Sequence, residues 1–202
     1  MKNIFIVPVM AIMAFTACNS NTNKSAEDSA VSKDTAQTRI SSDSTAAVTT
    51  AVADAPGAVN IKGIVTAYLQ LKNAFTLDNT NGAATAGAAL EAAFKAFDKT
   101  ALTGARKKIF EEVQDDAREH AEHIGKNGGN IKHQREHFDM LSKDMADLIK
   151  SFGTGGQILY KDFCPMYNEG KGAFWISETK DIKNPYLGKE MPTCGEVKEE
   201  LK

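Results

Sequence analysis

The segment NGGNIKHQREHFDMLSKDMADLIKSFGTGG, residues 127–156, decides the fold class of this chain. Both of its ends are rich in glycine, which loses more conformational freedom in a helix than other residues and so breaks it. Between the ends, apolar side chains recur at the three- and four-residue spacing of one helix face. They are Ile131, Phe138, Leu141, Met145, Leu148, Ile149 and Phe152. The segment therefore predicts an amphipathic helix with one buried face.

Three segments upstream show the same periodicity, over residues 61–75, 86–97 and 110–124. A polar break at residues 79–82 separates the first two segments, and Thr103 is placed to cap the third helix. Four amphipathic helices with short polar connections predict an all-α fold, in the form of an up-down four-helix bundle.

The chain changes character after residue 156. Residues 173–177, which follow a glycine turn signal, predict a short strand, and residues 157–160 predict a short extended piece. Asn184-Pro185 and Gly188 then interrupt any regular pattern. We expect a small irregular C-terminal subdomain, with room for a short β-ribbon. Because a hairpin alone is only marginally stable, the bundle, a disulfide or a metal must hold it.

The first 18 residues are typical of an exported protein. A short basic start precedes the apolar run at residues 4–17, which is too short for a membrane-spanning helix of about 20 residues. Ala17-Cys18 ends this run and resembles a bacterial lipobox, in which the Cys18 thiol is lipidated. An ordinary signal peptide with an incidental cysteine is the alternative. The lipobox predicts an envelope lipoprotein, facing the periplasm or attached to the outer membrane.

Composition divides the rest of the chain in two. Residues 19–57 are rich in Ser, Thr and Ala, so they predict a disordered tether. Residues 58–202 predict the folded domain, of ordinary single-domain size. The formal net charge of −2 gives no support for nucleic-acid binding. The membrane, reached through the lipid anchor, is the first expected partner.

Two sulfur-containing pairs stand out in the C-terminal subdomain. Cys164 and Met166 are alternate residues, and Met191 and Cys194 flank a proline. Thiolate and thioether ligands select soft metals such as Cu(I). The same two cysteines, in an oxidising compartment, can instead form a disulfide, and the methionines can simply fill a core. The residues leave these alternatives open.

Four histidines form a second constellation, His120 and His123 on the third predicted helix and His133 and His137 on the fourth. Their spacing lets each pair share a helix face, and a hairpin at Gly128-Gly129 would bring both pairs to one end of the bundle. Imidazole nitrogens bind zinc or copper, but charged neighbours also suit solvent-exposed residues. We expect one histidine, His137, to join the sulfur site.

Catalytic motifs are missing from the sequence. It contains no Gly-x-Ser-x-Gly, no phosphate-binding loop and no dinucleotide fingerprint. The carboxylate runs of the third helix suit a solvated face. We therefore predict that the protein is not an enzyme.

Five strings of residues identify a family resemblance. They are Tyr68-Leu69-x-Leu71-Lys72-x-Ala74-Phe75, Gln134-Arg135-Glu136-His137-Phe138-x-x-Leu141-Ser142, Tyr160-x-x-Phe163-Cys164-Pro165-Met166, Trp175-Ile176-Ser177 and Ile182-x-Asn184-Pro185-Tyr186-x-Gly188-x-x-Met191-x-x-Cys194-Gly195. Together they resemble the domain-of-unknown-function 3347 family, over roughly residues 60–200. The resemblance implies an exported lipoprotein, or a domain associated with copper and silver efflux adaptors, with no established enzyme activity.

The residues and the resemblance together predict a lipoprotein that binds a soft heavy metal as an accessory to metal homeostasis or efflux. Copper, as Cu(I), is the expected metal, and zinc is the less favoured one. The expected ligands are Cys164, Met166, Met191 and Cys194, with His137 as a nitrogen ligand. A heavy-metal efflux adaptor is the expected protein partner. The alternative is a non-catalytic envelope module that binds a partner and is held by a Cys164–Cys194 disulfide.

Overall fold

The computed structural model describes residues 59–202, which form four helices followed by a three-stranded antiparallel sheet. The elements are α1 (Lys62–Thr76), α2 (Thr80–Ala96), α3 (Gly104–Lys126), α4 (Ile131–Phe152), β1 (Leu159–Cys164), β2 (Ala173–Ser177) and β3 (Glu196–Leu201). The predicted signal peptide, the lipobox at Cys18 and the tether lie outside the described residues. No helix within residues 59–202 is both long and apolar enough to cross a membrane.

The helices begin and end at the polar breaks in the sequence. The side chains of Asn79 and Asn130 cap α2 and α4, because each accepts a hydrogen bond from the backbone amide of the third residue of its helix. Thr103 is the N-cap residue of α3, but its side chain makes no capping hydrogen bond. Gly153 ends α4 with a φ of +83°, a conformation that favours glycine.

Consecutive helices pack on one another, as in a helical bundle. Small residues allow α2 and α3 to approach closely, because a Cβ atom at Gly87 would lie only 2.9 Å from the Ala121 carbonyl oxygen. At one end of the core, Phe97 stacks on Phe110 with a centroid separation of 4.4 Å, and Phe152 meets Phe110 edge-on. The mostly helical fold is confirmed, whereas the up-down order of the helices stays a prediction.

The sheet is the part of the fold that the sequence predicted least well. Its strand order is β2-β1-β3, so β1 lies in the centre. The predicted ribbon corresponds to β1 and β2, and the structure adds β3 as a third strand. Five of the six residues of β3 are exposed, and its sequence EVKEEL lacks the apolar alternation of a half-buried strand. The all-α prediction is therefore corrected to a helical bundle with a C-terminal sheet.

Buried hydroxyl groups join the sheet to the bundle. Tyr68 Oη on α1 lies 2.8 Å from Ser142 Oγ on α4, and it accepts a hydrogen bond from the backbone amide of Ile176 on β2. Tyr186 Oη donates to the Phe174 carbonyl oxygen at 2.6 Å. These hydroxyls are satisfied without water, so β2 is fixed against α1 and α4.

A buried ion pair reinforces the same contact. Lys72 on α1 is fully buried, and its Nζ atom lies 2.8 Å from a carboxylate oxygen of Glu178, just after β2. Burial lowers the pKa of Lys72, although Glu178 opposes this effect. Asn73 Nδ2 donates to the other Glu178 oxygen. Removing the Glu178 carboxylate would leave the Lys72 ammonium buried and unpaired.

The α3–α4 interface contains a carboxyl group that is costly to ionise. Asp144 on α4 is half-buried, and burial raises its pKa to about 7, with the negative charges of Asp116 and Asp147 adding to the effect. An unfolded chain restores the ordinary aspartate pKa of about 3.9. The folded state therefore binds more protons than the unfolded state between these two values. This group lowers stability progressively as the pH rises from about 4 to about 7.

We expect Asp144→Asn to raise the melting temperature at pH 8 and to leave it almost unchanged at pH 4, because the substitution removes a charge that forms only at the higher pH. Thermal unfolding across this pH range measures the difference. Asp181→Asn is the matched control, since Asp181 is exposed in a loop. An equal effect of Asp144→Asn at both pH values would contradict a raised pKa of Asp144 in the folded state.

Candidate functional site

Cys164 and Cys194 lie together although they are 30 positions apart in the chain. Their Sγ atoms are 2.8 Å apart, and both thiols are free. Cys164 is the last residue of β1 and is fully buried, whereas Cys194 lies in the loop before β3 and is partly exposed. The two predicted sulfur pairs therefore meet at their cysteines.

Strand pairing places the two cysteines side by side. Phe163 on β1 pairs with Glu196 on β3, so the residues just beyond this pair, Cys164 and Gly195, lie at the same end of the ladder. Gly195 has a φ of +145°, and a Cβ atom there would lie 2.9 Å from the Trp175 ring. Only glycine fits this position without a shift of its neighbours. Gly195, directly after Cys194, thus lets the chain pass close to the Trp175 ring and enter β3.

Asn184 organises the loop that carries Cys194. This residue is fully buried, and its Nδ2 atom donates to the Cys194 carbonyl oxygen at 2.6 Å. Its Oδ1 atom accepts from the backbone amides of Tyr186 and Leu187, and its own amide donates to the Pro192 carbonyl oxygen. One side chain therefore holds both ends of the segment 184–194.

Arg135 on α4 fastens this loop to the bundle. Its Nε atom donates to the Pro185 carbonyl oxygen at 2.7 Å, and its Nη2 atom donates to Phe75 at the end of α1 and to Asp78. The other Asp78 oxygen accepts from the Lys189 amide. Burial opposes ionisation of Asp78, but these donors prevail and hold its pKa below the ordinary value. The charged pair thus joins α1, α4 and the cysteine loop.

The protonation state of the pair affects what it can bind. The hydrogen bond that the Cys194 thiol makes to Cys164 raises the pKa of Cys194, burial adds to this effect, and the Met166 amide partly opposes it. A thiol with a raised pKa is a poor nucleophile, because the thiolate is the reactive form. A metal that binds here must displace protons from the sulfurs.

Both predicted thioether ligands are exposed to solvent. Met166 is 60 % exposed and Met191 is 40 % exposed, so neither side chain fills the core. Met166 follows Cys164 by two residues, and the Met191 carbonyl oxygen accepts from the Cys194 amide at 3.1 Å. Both methionines therefore lie within three residues of a cysteine and expose their side chains to solvent.

His137 lies with the other histidines. Its Nδ1 atom is 3.1 Å from His120 Nδ1, across the α3–α4 interface. Among residues 59–202, the group of His, Cys, Asp or Glu whose ligand atoms are close enough to share a metal ion is His123, His133 and His137. This group contains neither cysteine. The structure therefore brings the cysteines together but places His137 in a separate group.

Sequence reasoning missed the positioning roles of Asn184 and Arg135. In the sequence, Asn184 only marks a chain break before Pro185, and Arg135 is only one of the charged residues around the histidines. The available signal was that both residues stand within the strings that resemble the family.

Comparison with known proteins gives one match. Residues 64–157 match the model of a family described as "Protein of unknown function (DUF3347)", which confirms the resemblance over this segment. No curated protein and no solved structure matches the chain. The matched segment covers nearly all of α1 to α4 and ends before β1, so it includes the four histidines but not the cysteines.

We expect Asn184→Ala to lower the free energy of unfolding by about 2–4 kcal/mol, because it leaves several buried backbone groups unpaired. The substitution should also raise the rate at which Cys194 reacts with a thiol reagent. Urea unfolding under reducing conditions and a thiol-labelling time course measure the two effects. Lys183→Ala, at the exposed neighbouring residue, is the control. Unchanged labelling in Asn184→Ala would show that this side chain does not position Cys194.

Proposed function

We propose that this protein is an envelope lipoprotein that binds a soft heavy metal, Cu(I) first, as an accessory to metal homeostasis or efflux. The observation that supports this function is the approach of two free thiols to 2.8 Å, flanked in sequence by two exposed methionines. Two thiolates and two thioethers form a donor set that favours Cu(I) over hard cations.

The sulfur pair fits a metal after a small opening. A metal held by both sulfurs at about 2.3 Å, with a tetrahedral or wider angle, requires them to be at least about 3.7 Å apart. The sulfurs must therefore separate by about 1 Å. Cys164 is fixed in β1, so the partly exposed Cys194 is the residue that moves. When bound, Cu(I) would cross-link β1 to the cysteine loop, and Met166 and Met191 would add uncharged ligands.

The expected location completes the proposal. A lipid at Cys18 and a tether over residues 19–57 would let the folded part reach a neighbouring efflux adaptor while remaining at the membrane. The role is to hold or pass on a metal ion, and it needs no catalysis. The ligands of the proposed sulfur site are Cys164, Cys194, Met166 and Met191. The position of His137 among the other histidines leaves it outside this set.

We expect the reduced chain carrying Cys18→Ser, which prevents lipidation, to take up about one equivalent of Cu(I) in competition with a chromophoric Cu(I) chelator. Adding Cys164→Ser and Cys194→Ser should abolish this uptake, because only the two thioethers remain. Met166→Ala with Met191→Ala should weaken binding without abolishing it. Equal uptake with and without the two cysteines would contradict the proposed ligand set.

The alternative function is a structural, partner-binding envelope module with a Cys164–Cys194 disulfide. The same short distance favours it, because the sulfurs need to approach by less than 1 Å to reach the bonding distance of about 2.05 Å. Such a bond would close the loop between β1 and β3 and restrict the unfolded chain.

If this alternative holds, chain purified from the envelope without reductant contains no free thiol at Cys164 or Cys194. Reduction should then lower the free energy of unfolding by about 2–5 kcal/mol. A thiol count under denaturing conditions and chemical unfolding with and without reductant measure these effects. The Cys164→Ser, Cys194→Ser chain should not respond to reductant. Two free thiols per chain would exclude a permanent disulfide.

A further inference from the structure

Four imidazole rings meet where α3 packs on α4, and His137 is the central one. The His137 ring stacks on His123 with a centroid separation of 4.4 Å, and His133 lies edge-on to it at 4.6 Å. The centroid of the His120 ring, which also lies on α3, is 5.3 Å from the centroid of the His137 ring. All four side chains are partly buried. A metal ion in solvent could therefore reach the rings, which pack against one another.

The helix hairpin holds these rings in place. Asn130 caps α4 just before His133, and the buried Gln134 side chain donates to the Ile124 carbonyl oxygen of α3 and to the Thr80 carbonyl oxygen of α2. These bonds fix the end of α3 against the start of α4. The ring positions thus rest on secondary structure, which positions metal ligands more accurately than loops do.

The three ligand nitrogens are near the spacing that a metal requires. One nitrogen from each of His123, His133 and His137 lies within 4.8 Å of the other two. Zinc–nitrogen bonds of about 2.0–2.1 Å at tetrahedral angles place such nitrogens about 3.4 Å apart. The rings must therefore draw together by at most about 1.4 Å, which side-chain rotation can supply.

His120 gives the central ring a defined orientation. Its Nδ1 atom is 3.1 Å from His137 Nδ1, so one of these two nitrogens donates to the other. When His137 Nδ1 carries the proton and donates to His120, the lone pair of His137 Nε2 is available for a metal. A second group that accepts the remaining N–H of a metal-bound histidine is a common feature of metal sites.

The charges around the cluster also suit a cation. Burial and the three neighbouring histidines lower the pKa of His137 to about 4, so this imidazole is neutral at physiological pH and its lone pair is available. Glu119 lies 3.8 Å from His123, and Glu136 lies 3.7 Å from His133. These carboxylates favour a bound cation electrostatically.

We propose that His123, His133 and His137 form a second metal site, separate from the cysteine pair, which binds a divalent cation of borderline softness. His120 is a positioning residue for His137. Three imidazoles favour Cu²⁺ or Zn²⁺ over Cu(I) or hard cations, and Cu²⁺ should bind more tightly than Zn²⁺. This site goes beyond the proposed sulfur site and does not depend on it.

The test uses the full chain with Cys18, Cys164 and Cys194 all replaced by serine, so that no thiol can bind metal. We expect this chain to take up one Zn²⁺ or one Cu²⁺ in calorimetric titrations with each metal alone. His137→Gln should reduce the affinity at least 100-fold, and His120→Gln should reduce it about 10–100-fold. Electron paramagnetic resonance of the Cu²⁺ form should show hyperfine coupling to nitrogen.

Two comparisons keep this test decisive. His133→Gln, at a partly exposed residue, checks the site if His137→Gln disturbs folding, which circular dichroism would show. Lys132→Gln, at an exposed residue on the same helix turn, should leave the affinity unchanged. Failure of the cysteine-free chain to bind either metal, or affinities unaffected by both histidine variants, would overturn the proposal. Neither result bears on Cu(I) binding by the cysteine pair.

Discussion

The guanidinium of Arg135 is the contact on which the arrangement of the C-terminal subdomain depends. It reaches from α4 to the end of α1, to Asp78 and to Pro185, so one side chain connects the bundle to the loop that carries Cys194. Arg135 is only 12 % exposed, and a charge so nearly buried is stable only while its partners remain in place. Within that loop, the Asn184 side chain donates a hydrogen bond to the Cys194 carbonyl oxygen and so positions Cys194.

Local sequence patterns were sufficient for the helices and insufficient for the site. The apolar period of α1 to α4 depends on residues within one element, and polar breaks mark its ends. The approach of Cys164 to Cys194 depends on the pairing of β1 with β3, a long-range contact of a strand with almost no apolar pattern. His137 could be assigned to a hairpin end from its spacing, but only packing shows that its ring faces α3.

The domain thus presents two sets of side chains, each proposed to bind a metal, with different physical character. The sulfur pair joins a fixed strand to a loop and must open to accept a metal, whereas the imidazole cluster lies on two packed helices and must contract slightly. The first set favours a soft monovalent ion and the second a borderline divalent ion. The segment that matches the family model contains all four histidines and ends before Cys164.

The cysteine pair and the imidazole cluster also differ in their sensitivity to oxidation. Thiols in an exported protein can be lost to a disulfide, and Cys164 and Cys194 are placed close enough for that reaction. Imidazoles do not take part in thiol chemistry, and the hydrogen bonds that fix α3 against α4 involve no sulfur. Under the proposals made for both sites, an oxidised chain would therefore lose its Cu(I) ligands and keep its divalent-metal ligands. The balance between the two metals would then follow the redox state of one pair of sulfurs.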